Sequence, residues 1–171
     1  GQVAAAGAHP HRIAARVESA SWRQGLARKA YTGQVRDTQI TGDLWQALGR
    51  PAAPREVLPL RFVQDAAGSP PADDRASPIL LLGDSHNLIF HAGADMQATG
   101  AGLADQLALE LQTSVDVLGV RGSGATPSRV SLYRRAKADP AYLTAKRLVV
   151  WCFSAREFTE GSGWKKVPVG P

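Results

Sequence analysis

The apolar run Ile79-Leu80-Leu81-Leu82 stops abruptly at Gly83-Asp84-Ser85-His86. A short buried strand that ends this way delivers a serine hydroxyl to the carboxyl end of a sheet, where open α/β sheets place their chemistry. A serine that attacks an ester needs a base for its proton, an acid that orients the base, and donors for the oxyanion. The backbone N–H of Ser85 is one such donor by position. The later turn Arg121-Gly122-Ser123-Gly124 offers others, from the N–H of Gly122 or Gly124 or from the Arg121 guanidinium. Two plainer readings stand beside this one. Ser85 serves equally well as a turn or N-cap residue, and Gly122-Ser123-Gly124 as a tight strand-to-helix turn.

The base is the missing part. His86 directly follows Ser85, and adjacent side chains on an extended turn diverge, so His86 reads as a substrate or loop contact, or as polar packing. His91 is the last histidine of the chain and sits in Phe90 to Gly102, a segment with three glycines, Asp95 and Met96. That segment is long for a tight connection and suits a lid or site wall. His9 and His11 flank Pro10 as surface residues, and without a third ligand they make no metal site. The Gly-rich turn is not a GxGxxG fingerprint and no Walker lysine follows it, so nucleotide binding is disfavoured and no cofactor is implied. Cys152 is the single cysteine, which excludes an internal disulfide and a cysteine-rich zinc site. Its apolar surroundings read as those of a buried, inert thiol.

The elements that must position these residues are clearest in the second half. Ile79–Leu82, Val115–Val120 and Leu148–Phe153 read as strands. Leu103–Leu111 reads as an amphipathic helix, with Leu103, Leu107 and Leu111 on one face. A second helix is expected from Pro127 to about Lys137, entered through Thr126 as N-cap with proline at the first helical position. This alternation implies an α/β fold with a parallel sheet and right-handed crossovers. Its strand ends carry Ser85, Arg121 and Ser154-Ala155-Arg156, so these should share one edge.

The first half is less regular. An Ala-rich helix is expected from Val3 to about Val17, interrupted by Pro10, and another from Trp22 to Ala30. Val35–Ile40 reads as an edge strand, Leu44–Leu48 as a short helix, and Glu56–Gln64 as an extended or edge segment around Pro59. Residues 66–78, with three prolines, Gly68 and Asp73-Asp74, read as an internal Pro-rich loop.

Size and charge bound the class. The 171 residues suit one domain with a real core. Apolar residues make up 44% and charged residues 20%, an ordinary globular balance. No apolar stretch approaches the ~18 residues expected of a membrane span. The net charge of +5 is scattered, with no basic run interleaved with aromatics, so nucleic acid is a poor fit. A mild positive field suits an anionic polymer as well. The start at Gly1, without Met or a signal peptide, fits a processed or truncated piece.

Three ordered blocks carry a family resemblance: Leu82-Gly83-Asp84-Ser85-His86, then Gly119-Val120-Arg121-Gly122-Ser123-Gly124, then Val149-Val150-Trp151-Cys152-Phe153-Ser154-Ala155-Arg156-Glu157-Phe158. Together they resemble the SGNH-hydrolase-like domain of the alginate O-acetyltransferases (the AlgJ/AlgX-type proteins), well over Pro78 to Val169 and loosely before that. The resemblance implies a three-layer, flavodoxin-like α/β fold with a central parallel sheet flanked by helices. It implies O-acetylation of an exopolysaccharide through an acetyl-serine intermediate, in the periplasm or cell envelope. An acetyl donor, a polysaccharide acceptor and membrane-complex partners follow from it. Ser85 would be the nucleophile and Arg121 would lie in or near the oxyanion hole. Asp84, His86, Gly122, Ser123, Gly124 and Arg156 would line the oxyanion and substrate region.

Two departures follow from the same comparison. The family sets its Asp-x-His pair before the serine, followed by a Gly and an Ala-rich helix. Gly1-Gln2-Val3-Ala4-Ala5-Ala6 is similar to that following segment, which implies an Asp-x-His upstream of Gly1 and a single domain lacking its N-terminal part. His86 stands where better-known members carry an aromatic. A carbohydrate O-acetylesterase is the adjacent chemistry. The rival from another class is a non-catalytic carbohydrate-binding domain in which Trp151, Trp164 and Arg156 contact sugar, although Trp151 in an apolar strand also reads as core.

Overall fold

The computed structural model describes residues 13–15, 17–42, 45, 47–49, 54–121, 124–159 and 165–168. Three strands form the parallel sheet: β3 (Ile79–Asp84) in the middle, β4 (Asp116–Val120) on one side and β5 (Leu148–Cys152) on the other. They follow β1 (Thr32–Ile40) and β2 (Glu56–Gln64), which pair with each other in a two-stranded sheet. Among the described residues, the helices with defined bounds are α1 (Leu103–Leu111), α2 (Ala125–Ala138) and a single turn, α3 (Arg156–Thr159). The α/β class and the parallel sheet expected from the sequence are both present.

Every residue of β3 is buried, which is why it reads as a continuous apolar run rather than an alternation. Its side chains divide between two clusters. Ile79 and Leu81 pack with Leu107 and Leu111 of α1, together with Val115 and Val117. Leu80 and Leu82 pack with Leu118, Leu132 of α2 and Tyr142. Burying each such Leu or Ile contributes about 1.5–3 kcal/mol, so this one strand anchors both clusters.

A polar network ties the second cluster together. The carboxylate of Asp116, fully buried at the start of β4, accepts from Arg135 Nη1 at 2.8 Å, Lys146 Nζ at 2.7 Å and the Tyr142 hydroxyl. Burial, then the Asp116 contact, pushes the Tyr142 phenol up to about 12. Asp116 therefore fixes α2 and the 140s loop to the same strand end.

The first half departs from the sequence expectations in two places. Trp22–Ala30 is not a helix: Ser21–Gly25 forms a 3-10 turn, followed by extended chain. Tertiary partners outcompete helix propensity here. Arg23 is buried against the Leu111 carbonyl and Glu18, and Gln112 takes the Lys29 N–H on its carbonyl and the Tyr31 N–H on its side chain. The edge strand expected at Val35–Ile40 is longer, and pairs antiparallel with β2 from Thr32↔Gln64 to Ile40↔Glu56. That ribbon is fastened to α1, with Arg61 donating to Gln106 at 2.6 Å and pairing with Glu110 at 3.2 Å. The helix expected at Leu44–Leu48 falls mostly outside the described residues. So does Val3–Val17, except that 13–15 and 17 are helical.

In the second half α2 begins earlier than expected, with Gly124 rather than Thr126 at the N-cap. Pro127 still lies in the first turn, where no N–H is needed. Thr126 instead accepts from Arg129 through its hydroxyl.

Candidate functional site

Ser85 is the first residue beyond β3, and the chain turns there into a 3-10 helix, Ser85–Leu88. Parallel pairing sets Asp84 opposite Val120 and Gly83 opposite Cys152. The residues that follow each strand, Ser85, Arg121 and Phe153-Ser154, therefore emerge along one edge, as the β-α alternation requires.

Asp84 organises this edge. Its side chain caps the turn by accepting the His86 N–H on Oδ1 at 2.9 Å, and the same oxygen lies 3.0 Å from His86 Nδ1. Its other oxygen accepts the Ser154 N–H at 3.1 Å. One buried carboxylate thus joins the loop after β3 to the loop after β5. The imidazole it holds is more than half exposed, and the Ser85 hydroxyl has no hydrogen-bond partner among the described residues.

Asn87 supplies a second tie, which the sequence reading missed. It is buried and donates from Nδ2 to the Cys152 carbonyl at 2.9 Å. Its amide occupies the space over Gly83. A Cβ on that glycine would stand 1.7 Å from Asn87 Nδ2 and 2.2 Å from the Cys152 oxygen. The glycine before Asp84-Ser85 is required by close approach rather than by turn geometry. Gly83 and Asn87 are near in sequence, but the Cys152 carbonyl that holds Asn87 over the glycine is 65 residues away, which spacing alone does not show. Cys152 is half-buried, and burial raises its thiol above the ordinary value, in keeping with an inert residue.

Arg121 is placed at the strand-end edge, but its guanidinium is engaged. Nη1 lies 2.6 and 2.7 Å from the two oxygens of Asp95. Asp95 belongs to a 3-10 turn, Ala94–Met96, within the Phe90–Gly102 segment. That segment is folded on itself by bonds such as Phe90 N–H to Met96 O and Ala101 N–H to Phe90 O. Phe90, Ala94 and Gln97 all hold positive φ, a conformation sustained by these contacts. Through Asp95 the segment reaches Arg121.

His91 faces elsewhere. Its Nδ1 lies 3.0 and 3.1 Å from the oxygens of Asp105, a fully buried residue whose carboxylate also takes the Gly102 N–H at the start of α1. The bond to Asp105 raises the His91 pKa above the usual value, against the opposing effect of burial. The Gly102-x-x-Asp105 spacing lets a first-turn carboxylate reach back to the N-cap N–H, a signal for Asp105 but not for its bond to His91.

Gly124, at the N-cap of α2, lies against Glu157 of α3. The Glu157 carboxylate rests against it, at 2.0 Å from where a Cβ would be. Gly122, Ser123, Trp164, His9 and His11 lie outside the described residues. Arg156 is exposed at the start of α3 and donates its N–H to Ser154 Oγ at 3.3 Å. Trp151 is not core: it lies at the surface of β5, with its ring 4.9 Å from Phe153, which in turn lies 5.6 Å from Phe158.

No protein-family model and no curated protein matches the chain. Among solved structures, the O-acetyltransferase domain of AlgJ from Pseudomonas putida superposes with a TM-score of 0.62 and 16% identity, over 94% of this chain and 52% of that one. AlgX from Pseudomonas aeruginosa superposes with a TM-score of 0.54 and 14% identity, over 86% of this chain and 32% of that one. The chain spans about half and about a third of those two structures. At such identities it is the fold that is shared, and the α/β fold of this chain is that of AlgX and the AlgJ O-acetyltransferase domain.

Proposed function

We propose that this chain is the nucleophile-bearing part of a serine acyltransferase that O-acetylates a carbohydrate polymer. The observation that carries this reading is the position of Ser85. It is the first residue past the central parallel strand, its hydroxyl unbonded among the described residues, on the fold shared with an O-acetyltransferase domain. Ser85 Oγ attacks the acetyl carbonyl of a donor, and the donor's leaving group departs with the proton. The acetyl-serine then passes its acetyl group to an acceptor hydroxyl. The Ser85 N–H and donors from the Arg121–Gly124 turn hold the oxyanion. The base for the first step is the upstream Asp-x-His that the family resemblance implies. The three-layer SGNH arrangement, a single domain continued upstream of Gly1, an exopolysaccharide acceptor, partners in a membrane complex and a cell-envelope location belong to this same proposal. No described helix is long and apolar enough to cross a membrane.

The test compares acetyl-ester turnover by the intact protein with that of Ser85→Ala. Loss of a nucleophile costs several orders of magnitude in rate. Equal rates would remove the catalytic reading. They would favour the carbohydrate-binding alternative, which draws support from the exposed Trp151 and Phe158 packed against the half-buried Phe153. Transfer to water rather than sugar in the same assay would assign an O-acetylesterase.

A further inference from the structure

We infer that His86, oriented by Asp84, is a second catalytic base of this site, one that acts on the acceptor hydroxyl in the transfer step. The inference rests on the Ser85 reading above. A turn cap needs only the backbone contact from His86 N–H to Asp84 Oδ1. The imidazole contact at 3.0 Å is additional, and it has the form of the orienting acid–imidazole pair of acyl-transfer enzymes. Asp84 is well suited to orient. Its side chain is 4% exposed and is gripped from two strand ends, by His86 on one oxygen and by the Ser154 N–H on the other.

With the Nδ1 proton directed at Asp84, the neutral ring leaves Nε2 free to accept a proton. The imidazole is 55% exposed, so an incoming molecule can reach it. Neither ring nitrogen hydrogen-bonds to the Ser85 hydroxyl. The ring is bonded to Asp84 and not to the nucleophile, which suits His86 to the acceptor.

The step balances as follows. The acceptor oxygen forms a bond to the acetyl carbonyl carbon while its proton passes to His86 Nε2. Collapse of the adduct breaks the bond to Ser85 Oγ. The imidazolium returns its proton to that oxygen through one water molecule, restoring the serine hydroxyl and the neutral ring.

The experiment separates the two half-reactions in the intact protein, using p-nitrophenyl acetate as donor and a soluble oligosaccharide as acceptor. The initial burst reports acylation of Ser85, and the steady state reports transfer. In His86→Gln, transfer is expected to fall by about 100-fold, within the usual range for a positioned base, with a far smaller change in the burst. Acetyl-Ser85 should then accumulate, and added imidazole should restore transfer in His86→Ala. Unchanged transfer, or burst and transfer falling together without imidazole rescue, would overturn the inference, while the wild-type burst would still report Ser85 acylation as a separate result. A wild-type protein that never acetylates Ser85 would overturn the serine reading, and this inference with it.

Discussion

The amide of Asn87 crosses the face of Gly83 to reach the carbonyl of Cys152, at 2.9 Å from Nδ2 to oxygen. This contact joins the turn that carries Ser85 to the neighbouring strand, and it exists only because residue 83 has no side chain. Asp84 makes the parallel tie to Ser154. The position of Ser85 is therefore set by the residues on both sides of it, each bonded to the chain that ends β5.

Gly83→Ala should be severely disruptive. The new methyl would meet the Cys152 backbone oxygen as well as Asn87, and backbone cannot step aside cheaply. A loss of about 3 kcal/mol or more is expected, at the upper end of overpacking costs. Thermal unfolding would register this as a fall in Tm of roughly 6–12 °C. An unchanged Tm would mean that Asn87 does not occupy this space.

Asp116→Asn should destabilise the fold by about 3–5 kcal/mol, because it strips the counter-charge from a buried lysine and a partly buried arginine. Urea unfolding measures it. A change below about 1 kcal/mol would show that Arg135 and Lys146 find water or other partners instead.

The His91–Asp105 pair should make stability depend on pH. The folded-state pKa of His91 lies above its unfolded value of 6.5. Its contribution is thus fully present below pH 6.5 and is lost as pH rises through the folded value. Urea midpoints at pH 6 and pH 8.5 should differ more for the wild type than for His91→Gln, with the wild type weaker at the higher pH. Equal pH dependence in the two proteins would contradict the pairing.

Arg121→Ala separates a structural from a chemical role. Its bond to Asp95 is solvent-exposed on both sides, so stability should change by less than about 1 kcal/mol. As an oxyanion donor, Arg121 should be worth about 10²–10³-fold in turnover. Unchanged turnover would reduce it to a tether for the Phe90–Gly102 segment.

The sequence carried the parallel sheet well. The apolar run of β3 and the leucines of α1 at four-residue spacing are local signals, and each fell on its element. It also placed Ser85, Arg121 and Ser154 at strand ends, since parallel pairing follows from the β-α alternation. What it could not supply were contacts across strands. Asn87 on Cys152, Asp84 on Ser154 and Asp95 on Arg121 join residues 65, 70 and 26 positions apart. Trp22–Ala30 was misread for the same reason, since distant Gln112 and Leu111 determine its path. Trp151 looked like core because β5 is apolar throughout, yet it lies on an edge strand with its side chain at the surface.

The central claim is that Ser85 carries the acetyl group. The direct measurement is mass spectrometry of the intact protein after brief exposure to an activated acetyl ester and an acid quench. Acetylation confined to the peptide containing Ser85, and absent in Ser85→Ala, is the predicted result. An unmodified Ser85 in a protein that still turns over the ester would contradict it.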